Sequence, residues 1–255
     1  MMIPGFSLMS RSFLPAFVML GLVWSPGSHA ETYPEDLDDV YIRAIASPVR
    51  TDADRSADDR RKPMEFLQFA EVRPGMRVLD VAAGGGYTTQ LLALVVGADG
   101  EVWAQSTEVN ETLLKRLPNN PDQNIHAVAL PYDDPVPKEA TSLDLVTLIM
   151  NYHDIAYMPV DRARMDKQLF DALKQGGHLI VMDHSARAGS GTSDTKTLHR
   201  IDENVVLDEL QQAGFKLEKE GEFMRNPDDP RDQPFFRMSI PTDKFALRFV
   251  KPRSF

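Results

Sequence analysis

From Arg77 to Val96 the chain passes from a short apolar run, Arg77-Val78-Leu79-Asp80-Val81, through Ala82-Ala83-Gly84-Gly85-Gly86 into a helical pattern starting at Tyr87. Strand, small-residue loop and helix in that order begin an α/β sheet. The alternation continues. Strands are predicted over Glu101 to Gln105, Ile125 to Ala129, Leu143 to Met150 and His178 to Met182, with helices over Glu111 to Leu117 and Asp161 to Leu173. Such strands pair in parallel and are covered by helices on both faces. Val206, Leu210 and Ala213 then mark a helix stopped by Gly214, and two late strands are expected near Phe215 to Phe223 and Phe245 to Val250.

The first thirty residues have a different character. A single charge, Arg11, precedes an apolar run from Phe13 to Trp24, and the segment closes on Ser28-His29-Ala30. That layout predicts a secretory signal peptide cleaved after Ala30, and hence a periplasmic or secreted product. The run is shorter than the roughly 20 residues needed to span a bilayer, so no stable membrane insertion is expected after cleavage. Three segments follow: a signal peptide at 1–30, a cap at 31–62 with a helix around Leu37 to Ala46, and the main domain at 63–255. The Asp- and Arg-rich run from Asp52 to Arg61 reads as a solvated face. A helix is expected to open at Pro63, with Phe66, Leu67 and Ala70 as its apolar stripe.

The formal net charge is −10, which disfavours a nucleic-acid partner because phosphate backbones select basic surfaces. Zero cysteines exclude disulfides, thiolate metal sites and a cysteine nucleophile. Oligomeric state leaves no mark on the sequence.

A glycine loop at a helix start presents free N–H groups to an anionic or polar ligand. The loop continues Tyr87-Thr88-Thr89, without the Lys-Ser or Lys-Thr of a P-loop. The dinucleotide fingerprint fails too, because Thr89 stands where Gly-x-Gly-x-x-Gly requires its last glycine. What remains is an acid closing a strand and small residues at alternate positions, Asp80-x-Ala82-x-Gly84-x-Gly86. This resembles motif I of the class I S-adenosylmethionine (SAM)-dependent methyltransferases. Ser142-Leu143-Asp144-Leu145-Val146 resembles that family's fourth-strand motif, Leu173-Lys174-Gln175-Gly176-Gly177-His178-Leu179 its turn before the fifth strand, and Ala213-Gly214-Phe215 its entry to the sixth. More narrowly, Arg61-Lys62-Pro63, Pro74-Gly75-Met76, Gly84 to Thr88 and His199-Arg200-Ile201-Asp202-Glu203 resemble a group of exported bacterial methyltransferases known only by prediction.

The resemblance implies a Rossmann-like, mostly parallel seven-stranded sheet, helices on both faces, an antiparallel last strand and SAM as cofactor. It also implies site residues. Gly84 and Gly86, with Ala82 and Tyr87, would border the methionine part of SAM; Asp80 would orient the loop or bind the amino group; Asp133, beside Asp134, would hold the adenine; Asn151 would add a further contact. The chain departs from the family at Ala82, in place of a glycine, and at Ser106, where an acid normally binds the ribose. Glu108, two residues on, is the substitute candidate.

Loops after the strands meet at the carboxyl edge of such a sheet, which brings Asn151-Tyr152-His153-Asp154 and Asp183-His184 to one place. His153, His184 and His199 are the candidate general bases for a hydroxyl acceptor. Asp154 and Asp183 resemble the magnesium carboxylates of catechol-type O-methyltransferases, but His184 stands where those enzymes have Asn, and no metal is assigned. Arg200 is a candidate for binding an anionic substrate. The reading is methyl transfer to a small-molecule acceptor; the alternatives are an exported, non-catalytic ligand-binding protein of the same fold, which Ser106 favours, and an NAD oxidoreductase.

Overall fold

The structure is a computed structural model that describes residues 36–253 together with Met1, Met2 and Gly5. The rest of the expected signal peptide, with its cleavage point after Ala30, lies outside the described residues.

Two short helices precede the main domain. Helix α1 (Leu37–Ala46) is capped by the Asp36 carboxylate, and α2 (Asp52–Arg61) opens on a capping box in which Thr51 and Asp54 satisfy each other's backbone N–H. Helix α3 (Pro63–Ala70) has its proline at the first helical position, where no N–H is missed. These helices and the sheet belong to one compact unit.

The sheet comprises β1 (Arg77–Val81), β2 (Glu101–Ser106), β3 (Ile125–Ala129), β4 (Leu143–Ile149), β5 (Leu173–His184), β6 (Lys216–Glu220) and β7 (Lys244–Val250), in the spatial order β3-β2-β1-β4-β5-β7-β6. Strand β7 runs antiparallel to both neighbours, β5 and β6, while the other pairings are parallel. The seven-stranded Rossmann-like arrangement expected from the sequence is therefore present. Between the strands lie α4 (Tyr87–Val96), α5 (Glu111–Arg116), α6 (Tyr152–Tyr157), α7 (Arg162–Ala172) and α8 (Glu203–Gln212).

Alternation along β1 splits the core. Val78 joins a cluster with Tyr41, Phe66 and Leu92, from α1, α3 and α4; Leu79 and Val81 join Ile155, Met165 and Leu210, from α6, α7 and α8. Helices thus cover both faces. Among the described residues no helix is long and apolar enough to cross a membrane.

Two strand boundaries differ from expectation by more than two residues. Strand β5 begins at Leu173 rather than His178, because Leu173 pairs with Leu143 ahead of a register shift. Strand β6 stops at Glu220; its residues are largely exposed at the sheet edge, leaving little apolar periodicity to read.

Candidate active site

Strand order reverses between β1 and β4, and the carboxyl ends of β1, β4 and β5 open together onto a cavity of about 1340 Å³. Single-ligand pockets run to roughly 300–1,000 Å³, so this one has room for two partners.

At one end lies the glycine loop. Ala82, Gly84 and Gly86 all take left-handed backbone, with φ of 56°, 53° and 80°. Asp80 fixes the loop from beneath: it is fully buried and accepts the hydroxyls of Thr89 at 2.6 Å and of Thr147, its register partner on β4, at 2.8 Å. Burial pushes its carboxyl up to about 6, against the pull of the two hydroxyls. The glycines differ in purpose. A Cβ at Gly84 would meet only Ala82 O, at 3.9 Å, so its missing side chain leaves open space in the cavity wall. A Cβ at Gly86 would strike Leu113 Cδ1 at 2.8 Å, so that glycine lets α4 pack on α5.

Helix α2 closes over this loop, which corrects its reading as a solvated face. Asp54 is buried and takes a bidentate grip from Arg116, at 2.7 and 2.8 Å, while Arg116 Nε donates to Gly85 O at 2.7 Å. One turn along, Asp58 accepts from Arg50 and from the Tyr87 hydroxyl at 2.6 Å. Arg61 lies 4.7 Å over the Tyr87 ring. The spacing of Asp54, Asp58 and Arg61, i, i+4 and i+7, puts all three on one helical stripe; that was the available signal.

At the other end stand the histidines. His153 is buried at the start of α6; its N–H and its Nδ1 contact the two oxygens of Asp183 at 2.8 and 2.6 Å. Burial lowers its pKa, but the Asp183 charge and the bonds from Asp154 and Asp183 outweigh that and raise it to about 10. His184 has the opposite balance: burial, then the charges of Lys244 and His153, push it down to about 2. Its Nδ1 is 2.8 Å from the Thr242 hydroxyl, and its ring stacks on Phe235 at 4.2 Å. His199, at φ 52° and partly exposed, places Nδ1 3.1 Å from Asp154 Oδ1.

Comparison with known proteins fits this geometry. The family profile of protein-L-isoaspartate(D-aspartate) O-methyltransferase matches residues 36–130, from α1 through β3. The ubiquinone/menaquinone biosynthesis C-methyltransferase UbiE of Burkholderia multivorans is 34% identical over 121 residues, 46% of this chain and 46% of that protein; the enzyme of Paraburkholderia phytofirmans is 33% identical over 127 residues, 48% and 49% of the two. The chain thus spans about half the length of the curated relatives it matches. A solved SAM-dependent methyltransferase from Aquifex aeolicus superposes with a TM-score of 0.57, at 17% identity, covering 86% of this chain and all of its own. The chain shares the fold of the class I SAM-dependent methyltransferases. The [4+2]-cyclase SpnF also superposes, with a TM-score of 0.57 at 14% identity over 86% of this chain and 94% of its own. The fold alone therefore does not fix the reaction.

Within that fold the expected site residues fall into three groups. Asp80, Ala82, Gly84, Tyr87, Asn151, His153 and His184 line the cavity. Asn151 braces it, donating Nδ2 to Ile149 O at 2.9 Å and to Ala82 O at 3.3 Å. Gly86 and Ser106 sit behind the wall; the Ser106 hydroxyl is buried at the end of β2 without a hydrogen-bond partner. Glu108, Asp133 and His199 lie outside the lining: Glu108 is exposed, Asp133 faces Arg164 at 3.9 Å on the surface, and His199 sits behind Asp154. Neither the Glu108 nor the Asp133 side chain forms part of the cavity lining.

Two further readings change. Arg200 is fully buried, with its guanidinium spent on Asp229, Ser185 O and Gln233 O, so it holds the loop carrying His199 rather than an anion. Asp183 has both oxygens committed to His153, and Oδ1 also accepts the His184 N–H, so Asp154 and Asp183 do not form an open magnesium pair.

Proposed function

We propose that this chain transfers a methyl group from SAM to a small-molecule acceptor held at the histidine end of the cavity. One observation carries the reading. The glycine loop and the His153–Asp154–His184 cluster open into the same cavity, which exceeds the size of a single ligand.

The residues fit SAM. Gly84 leaves an open cradle, and Arg61 and Lys62 add positive charge suited to a carboxylate. When bound, SAM supplies a methyl carbon on a positively charged sulfur. This chain's contribution is alignment and exclusion of water. Helix α2 roofs the loop, and Phe235 and Phe236 wall the acceptor end with aromatic surface, favouring an acceptor with an apolar body.

The histidines divide the labour. His153 is held through Nδ1 by Asp183, and burial leaves His184 neutral but binding protons too weakly for a base. His199, held through Nδ1 by Asp154, stands beside them just outside the cavity lining. Periplasmic or secreted placement, with cleavage after Ala30, is part of the same proposal and is supported by the layout of residues 1–30.

Calorimetry of the mature protein with SAM and S-adenosylhomocysteine tests the reading. One-to-one binding of both is expected; no binding of either at millimolar concentration overturns it.

A further inference from the structure

We propose that His153, Asp154 and His199 form a binding site for one divalent transition metal ion at the acceptor end of the cavity. The proposal rests on the acceptor reading above only for the ion's use, not for its binding.

One ligand atom from each of the three side chains lies within 4.8 Å of the other two. The individual edges are tighter. Asp154 Oδ1 is 3.2 Å from His153 Nε2 and 3.1 Å from His199 Nδ1. Ligands held tetrahedrally at about 2.0–2.1 Å from zinc lie roughly 3.3 Å from one another, so these two edges already have nearly the length a metal requires.

The burial of His153 adds a second observation that points to a ligand. His153 is about 99% buried, and its Nε2 makes no well-aligned hydrogen bond, its nearest polar neighbour being Asp154 Oδ1 at 3.2 Å. A buried polar atom without a hydrogen bond is costly, and native structures rarely retain one without a use. The ring cannot turn away, because Asp183 holds Nδ1 at 2.6 Å and caps the His153 backbone N–H at 2.8 Å. Carboxylate to one imidazole nitrogen, with the other nitrogen offered to an ion, is the arrangement by which proteins orient histidine ligands. His199 adds backbone strain at the same spot, with φ of 52°.

The donor set selects the ion. Two imidazoles and one carboxylate suit Zn²⁺ or Fe²⁺ and its neighbours rather than Mg²⁺, which prefers oxygen ligands. Three protein ligands leave a fourth position, as in catalytic rather than structural zinc sites. Because His153 and Asp154 line the cavity, that position faces the acceptor space, where an oxygen or sulfur of the acceptor would bind and become more acidic.

The test uses the full mature chain, stripped of metal and titrated with Co²⁺ and then Zn²⁺. One equivalent of Co²⁺ with a visible tetrahedral spectrum, displaced by Zn²⁺, is expected. His199→Ala, on a partly exposed loop, and Asp154→Asn should each weaken binding at least tenfold, and Asp183→Asn should weaken it about 10–100-fold. Absence of Co²⁺ and Zn²⁺ binding, preference for Mg²⁺, or unchanged affinity in His199→Ala with native circular dichroism overturns the site. SAM calorimetry on the same samples separates the two ideas. Metal binding without SAM binding upholds the metal site and removes the methyl-transfer reading.

Discussion

Arg116 holds Asp54 with both terminal nitrogens, at 2.8 and 2.7 Å, across 62 positions of sequence, and its Nε reaches Gly85 O at 2.7 Å. One guanidinium thereby ties α2 to the glycine loop. Both partners are buried, so removing either leaves an uncompensated charge. Asp54→Ala or Arg116→Ala should each cost about 3–5 kcal/mol in urea unfolding, while a well-packed double replacement, Asp54→Leu with Arg116→Met, should recover most of the loss. SAM affinity should fall in the single and the double variants alike, because the Gly85 contact is lost with Arg116 and the roof with Asp54.

The same pair sets an acid limit. Burial raises the Asp54 pKa, but bonds from Arg116 and Thr51 outweigh it and bring the carboxyl down to about 2. A folded value below the unfolded one gives stability that is complete above about pH 4 and is lost as pH falls through about 2. Urea midpoints between those limits should decline in the wild type, and less steeply in Asp54→Asn.

The two left-handed glycines should separate binding from stability. Gly84→Ala strains the backbone by about 1–2 kcal/mol and puts a methyl group into the cradle, so SAM affinity should drop at least tenfold for a modest fall in melting temperature. Gly86→Ala carries the same strain plus overlap with Leu113, costing about 1–3 kcal/mol more, and should show mainly in the melting curve.

Arg200 offers a test of role. Its ion pair with Asp229 is wholly buried, so Arg200→Gln should destabilise by about 3–5 kcal/mol. Activity loss should be the same for neutral and anionic acceptors; a selective loss for anions would return Arg200 to the binding surface.

Much of the sheet was legible because buried parallel strands are short apolar runs punctuated by loops. Strand β1 and helix α4 begin and end where the residue pattern places them, and the loop between them carries its own spacing. The charged helix α2 was not legible in the same way. Asp54, Asp58 and Arg61 look like surface residues until Arg116 and Tyr87, from distant segments, arrive to meet them. Arg200 misled for the mirror-image reason: an arginine beside a candidate histidine suggests an anion, and only the fold shows Asp229 already there. The cluster of His153, Asp154 and His199 was visible as three separate candidates, but their convergence depends on the return of the chain past β5.

The Asp54–Arg116 clasp has a consequence for how the molecule comes into being. On a ribosome, or in any channel that passes the chain from its amino end, Asp54 emerges 62 residues before its partner exists. The intervening stretch holds α3, β1, α4, β2 and α5, which have local contacts to make first. Closing the long loop costs entropy that only the finished ion pair and its burial offset. Ligand-binding competence is therefore among the last properties acquired during folding, and a partly synthesised or partly threaded chain has no closed site with which to capture a ligand early.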